Sequence, residues 1–120
     1  RVYTAWDNLK DEGRLFAGLE ALVRHGVKPS HIMVYMLIGY WPGETMQDRL
    51  YRIQRLLDFG VLPYPMAYVN TPELRGFQRW AIWGHAAAGV TWPEWVAARY
   101  QGRKLKRGAD LLEQTTQKEG

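Results

Sequence analysis

The run Met36-Leu37-Ile38-Gly39-Tyr40-Trp41-Pro42-Gly43-Glu44-Thr45 is the segment best suited to chemistry. An apolar stretch stops at a glycine, a Pro-Gly turn follows, and Thr45 with Asp48 three residues later forms the pattern of a capping box. A strand that ends in this way leaves backbone N–H and C=O groups free beyond its C-terminal end. The next helix start favours electron-rich groups, which is why ligands of α/β proteins gather there. Gly39 would let a flat ligand approach the backbone closely. A plain Pro-Gly turn accounts for the same residues, so both readings stand at this point.

Other chemistries find less material. Cysteine is absent, which excludes disulfides, thiolate metal sites, Cys nucleophiles and any iron–sulfur cluster held by these residues. His25, His31 and His85 have no ligand-like spacing, and each falls near the end of a predicted element, so no metal residue is assigned. Glu12, Glu20, Glu44, Asp48, Asp58, Glu73 and Glu94 fall in first turns or on helix surfaces, which gives no support to paired-carboxylate catalysis, and no catalytic residue is assigned. Trp80, Trp83, Trp92 and Trp95 form an aromatic-rich region whose expected role is packing ahead of nucleobase stacking.

The elements that must position the central segment follow from periodicity. Val2 to Trp6 is a β-branched and aromatic run ending in Asp7-Asn8, hence a strand leading to a helix start. Leu15, Phe16, Leu19, Leu22 and Val23 share one helical face between about Asp11 and His25, and Gly26 ends that helix. Ile32 to Ile38 is continuously apolar and short, the mark of a strand buried on both faces. A second helix is predicted from about Met46 to Phe59, with Met46, Leu50, Ile53, Leu56 and Leu57 inward and Arg49, Arg52 and Arg55 mostly opposite. Leu62 to Val69 gives a third strand, which Pro63 and Pro65 restrict to a place where not every N–H is needed. Gly26-Val27-Lys28-Pro29 and Gly60-Val61-Leu62-Pro63 repeat G-V-x-P 34 residues apart, the period of one β/α unit. Beyond Asn70, Thr71-Pro72-Glu73 and Thr91-Trp92-Pro93-Glu94 start two short helices.

The fold class is therefore α/β, in βαβαβ order with short C-terminal helices. Residues 1–70 form β/α units of a partial barrel, 71–100 a helical extension packed on it, and 101–120 a polar, basic tail. The composition, 47% hydrophobic and 23% charged, is that of a chain that buries a core. Of 16 basic residues, five lie in the acid-free segment Arg99 to Arg107, which leaves 11 basic against 12 acidic residues elsewhere. The net charge of +4 is a tail property. The seven-residue apolar run falls far short of the roughly 20 residues that span a bilayer, so no membrane is expected as a partner. Arg1 stands where an initiator Met would, which predicts a chain cut from a longer one.

Ile38-Gly39-Tyr40, Pro42-Gly43-Glu44-Thr45 and Asp48 resemble the C-terminal part of the radical S-adenosylmethionine enzymes, with Trp41 as a one-residue insertion. Val2 to Leu9, Leu50-Tyr51-Arg52, Gly60-Val61, Pro63-Tyr64-Pro65-Met66, Tyr68 and Phe77-Gln78-Arg79-Trp80 extend the resemblance over residues 1 to about 100, towards an uncharacterised bacterial and phage subgroup. The resemblance implies that Leu37, Gly39 and Tyr40 flank the adenine of S-adenosylmethionine and that Asp7 and Asn8 meet its ribose or methionine part. A helix N-cap role for Asp7 stands beside that. It also places Met66 and Tyr68 near the adenine, with core packing as the alternative. Tyr35 and Pro42 depart from the family's G-x-I-x-G-x-x-E pattern at its first Gly and its Glu.

The same resemblance implies a larger enzyme whose four-iron, four-sulfur cluster is held by a C-x-x-x-C-x-x-C loop outside this chain. That enzyme would use the 5′-deoxyadenosyl radical on an unknown substrate. Its expected partners are the N-terminal part of the same barrel and, through an exposed sheet edge, further copies of the chain. Oxygen-sensitive chemistry without a signal segment points to the cytoplasm. The alternative is a nucleic-acid-binding or protein-interaction module using the basic segment 99–107 and the Trp-rich helices. An independent α/β domain without cofactor is the third reading.

Overall fold

Helices of 13 and 14 residues separate the strands, and connections of that length are crossovers that force parallel pairing. The computed structural model describes residues 1–99; Tyr100 and the 101–120 tail, with the basic residues 103–107, lie outside the described residues. The order is β1 (Val2–Ala5), α1 (Glu12–Arg24), β2 (Ile32–Ile38), α2 (Met46–Phe59), β3 (Leu62–Ala67) and α3 (Pro72–Ile82). Residues 92–99 are also helical. The strands form one sheet in the order β1-β2-β3, all parallel, as the βαβαβ pattern requires.

Local signals set the boundaries. Thr45 and Asp48 cap α2 reciprocally, each side chain accepting the other's backbone N–H at 3.1 Å. The two G-V-x-P copies are the same structural event. Gly26 and Gly60 take φ of 98° and 97°, and Val27 and Val61 then donate back to Leu22 O and Leu56 O at 3.0 and 3.3 Å. This closure turns each helix into the following strand.

One face of the sheet carries the core. Ile32, Val34, Met36 and Ile38 of β2 are fully buried, in one cluster with Phe16 and Leu19 of α1, Ile53 and Leu56 of α2, and Leu74, Phe77 and Trp80 of α3. Each such side chain contributes roughly 1.5–3 kcal/mol by leaving water. The alternate residues Met33, Tyr35 and Leu37 are only half-buried, which corrects the expectation of a strand buried on both faces. The helices cover one side alone. Trp80, Trp92 and Trp95 pack as expected, with Trp80 Nε1 donating to Val90 O at 2.8 Å and Trp92 lying 5.2 Å from Phe77 and 5.6 Å from both Trp80 and Trp95. Trp83 differs and is exposed.

A polar tie joins α1 to α2. Tyr51 Oη donates to Glu12 Oε2 at 2.6 Å, Arg55 Nε donates to the same oxygen at 2.7 Å, and the Arg55 guanidinium lies 3.9 Å from the centre of the Phe16 ring. The Tyr51 hydrogen bond, aided by Arg55 and opposed by burial, holds the Glu12 carboxyl below its ordinary 4.5. A carboxyl lowered on folding contributes stability above its unfolded pKa and loses it as pH falls towards the folded one. Tyr51→Phe should therefore destabilise the protein most near neutral pH, and the difference should shrink below about pH 4.5. Urea unfolding at both pH values checks this; an undiminished difference in acid would refute it.

Candidate functional site

The C-terminal ends of β1 and β2 diverge, and side chains take over the ladder there. Trp6 N–H still donates to Tyr35 O at 2.8 Å, but the next group, Leu37 N–H, finds Asp7 Oδ1 at 3.2 Å. Arg52 Nη1 serves the remaining carbonyls, donating to Trp6 O at 3.2 Å and Leu37 O at 3.0 Å, while Nη2 donates to Glu44 Oε2 at 2.6 Å. Glu44 Oε1 accepts from Gly39 N–H and lies 3.2 Å from Arg49 Nε. The Arg52 side chain is 0% exposed and that of Glu44 2%. Trp41 covers the pair, its ring centre 4.7 Å from the Arg52 guanidinium.

This network corrects two expectations. Arg52 does not lie on the solvent side of α2, and Glu44 is not a surface acid. Burial pulls the Arg52 pKa below its ordinary value, while Glu44 and then Asp7 pull it back. The guanidinium suits the position because a strand end buries carbonyls that need donors, and its fork serves several at once. The signals were Leu50-Tyr51-Arg52 beside the apolar stripe and an acid eight residues earlier.

The seven candidate residues converge on this end of the sheet. Leu37 and Met66 are ladder partners on the face that the helices leave open, and Met66 is 42% exposed. Tyr40 and Tyr68, beyond the ends of β2 and β3, meet edge to face with ring centres 5.1 Å apart. Asp7 makes the ladder bond to Leu37, and Asn8 and Asp11, not Asp7, occupy the N-cap positions ahead of α1. Asn8 Oδ1 is buried without a hydrogen-bond partner, at a shallow depression of about 340 Å³ shared with Leu9, Lys10 and Trp41. Gly39 is explained by the fold: its φ is +71°, and a Cβ there would sit 2.6 Å from Leu74 Cδ1. The space on that side of the backbone belongs to α3.

Below this end, the open face continues as an aromatic row. Tyr3 stacks on Tyr35 at 5.8 Å, and Tyr35 meets Tyr64 edge-on at 5.3 Å. A flat apolar group would find contact here. Among the described residues, no group of three or more His, Asp or Glu is placed to hold a metal ion. No family model matches the chain, and neither a curated protein nor a solved structure matches it.

The buried pair generates a double-mutant test. Arg52→Met should cost about 3–5 kcal/mol, because it leaves Glu44 and two carbonyls without their donor. Glu44→Gln should cost less, and the double variant less than the sum of the two. Urea unfolding of the four proteins measures the coupling; additive losses would mean that the two side chains act separately.

Proposed function

We propose that the chain forms one wall of a partial (β/α) barrel in a radical S-adenosylmethionine enzyme, with the open face of the sheet turned towards the barrel interior. The observation that carries this reading is the one-sided cover. Three parallel strands have their helices on one face, while the other presents Tyr3, Met33, Tyr35, Leu37, Tyr64 and Met66, without a charged side chain. An all-parallel sheet normally has both faces covered. The Ile38-Gly39-Tyr40 and Pro42-Gly43-Glu44-Thr45 steps lie at the strand ends where α/β barrels bind ligands.

The residues present suit the nucleoside part of S-adenosylmethionine. Leu37 and Met66 would give apolar contact to the adenine, and Tyr40 and Tyr68 an aromatic rim. Gly39 would contribute its backbone position. Asp7 and Glu44 are engaged in holding the strand ends, so their role is to fix the pocket wall. The residues do not suit the iron–sulfur cluster, since the chain contains no cysteine. Its thiolates belong to a segment outside these 120 residues. The bound cofactor pair would supply radical hydrogen abstraction, and this chain would position the nucleoside.

The complete gene product, reconstituted anaerobically with iron and sulfide, should bind S-adenosylmethionine and release 5′-deoxyadenosine on reduction. Met66→Asp, at an exposed position, should weaken binding about tenfold in calorimetry with the unfolding midpoint unchanged. A complete reading frame without the three-cysteine motif, or unchanged affinity in a folded Met66→Asp protein, would overturn the reading.

A further inference from the structure

The two outer edges of the sheet are not equivalent. In a parallel ladder, alternate residues turn both N–H and C=O towards one neighbour, and the intervening residues turn theirs to the other side. In β3, Tyr68 N–H donates to Ile38 O at 2.9 Å, so residues 62, 64 and 66 face β2 as well, and 63, 65 and 67 face outward. Pro63 and Pro65 have no N–H, and the third outward donor, Ala67 N–H, is taken by Gln78 Oε1 of α3 at 3.2 Å. The outer edge of β3 has no free donor to give a further strand.

The edge of β1 is the reverse. Trp6 N–H donates to Tyr35 O, so Val2 and Thr4 also face β2, and Tyr3 and Ala5 turn their backbone groups outward. Among the described residues no strand lies beyond them. Beside this edge runs a groove of about 310 Å³ between β1 and α1, lined by Ala5, Leu15, Gly18 and Leu22 and by the ion-paired Asp11 and Arg14. Gly18 sits in the middle of α1, where glycine weakens a helix, and nothing lies within 4 Å of where its Cβ would be. A glycine there makes sense where another backbone comes close.

We propose that the β1 edge and this groove together receive a further parallel β/α unit, its strand pairing with Tyr3 and Ala5 and its helix seated over Gly18, and that the sheet ends at β3. A second copy of the chain fits less well. Pairing β1 of one copy with β3 of another would need donors that β3 lacks, and pairing β1 with β1 would enlarge the sheet while leaving Tyr3, Tyr35 and Tyr64 uncovered in both copies. A continuing run of parallel units curls the sheet and turns that face inward. The proposal uses the barrel geometry of the functional reading but not its cofactor.

Residue-level amide exchange on the complete gene product, in the assembly in which it purifies, tests it. The Tyr3 and Ala5 amides should be slowed at least about 100-fold relative to an unstructured peptide. Gly18→Leu should reverse most of that slowing while Ala67 keeps its own, and Gly18→Ala should act in the same direction more weakly. Gln78→Leu should release Ala67 alone. Tyr3 and Ala5 exchanging at unstructured rates, or staying protected in a folded Gly18→Leu protein, would overturn the proposal. So would protection that disappears on dilution together with cross-links between Tyr3 of two copies, which marks self-association. Protection as expected in a protein that does not bind S-adenosylmethionine would reject the cofactor and keep the docking edge.

Discussion

The guanidinium of Arg52 meets a requirement that the strands themselves create. Parallel strands of unequal length leave backbone groups without partners where the shorter one turns away, and here those groups are buried. Arg52 answers Trp6 O from β1 and Leu37 O from β2, then hands its charge to Glu44, which holds Gly39 N–H. The end of β1, 46 residues away, is thereby joined to the end of β2 and to the loop that follows it through one side chain of α2. Many buried ion pairs can be exchanged for apolar groups at little loss, but this one also satisfies carbonyls, and each carbonyl left unpaired costs about 1–3 kcal/mol.

The consequence is a loop of defined shape between β2 and α2. Glu44 closes it from one side and the Thr45–Asp48 capping box starts the helix, while Leu74 of α3 fills the space against Gly39. Arg49 extends the tie, lying 3.2 Å from Glu44 and 3.7 Å from Glu73 of α3. The groups that the proposed ligand would meet, Tyr40, Met66 and Tyr68, are exposed side chains standing on this fixed frame. Binding on such a support costs less ordering than binding by a loose loop.

What could be read from the residues was local. The span Met46–Phe59 is bounded by a capping box and a left-handed glycine, both written within a few positions of the ends. The parallel order followed from helix-length connections. The misplacement of Arg52 had the opposite cause, because its carbonyl partners lie 15 and 46 residues away and no helical wheel contains them. The half-cover of β2 was hidden for another reason: an apolar strand reads the same whether its second face is covered by this chain or by something else. The convergence of Asp7, Asn8, Leu37, Gly39, Tyr40, Met66 and Tyr68 on one end follows from the same parallel order, which brings the C-terminal ends of all three strands to one edge.

The open face bears on what the fold is for. A sheet meant to face water on one side alternates apolar with charged or polar residues. Here the alternation is between fully buried aliphatics and half-covered Tyr, Met and Leu, so both sets are patterned for contact. The tyrosines reduce the penalty of exposure by packing on one another, at roughly 0.5–1.5 kcal/mol per aromatic pair, and by keeping hydroxyls that water can reach. They do not remove it. The donor-free edge of β3 denies cover from that side, and the open edge of β1 with its groove admits it from the other. The proposed curved continuation through β1 would answer the face and the edge together, and it would leave the Arg52-braced strand ends at the mouth of the enclosed space.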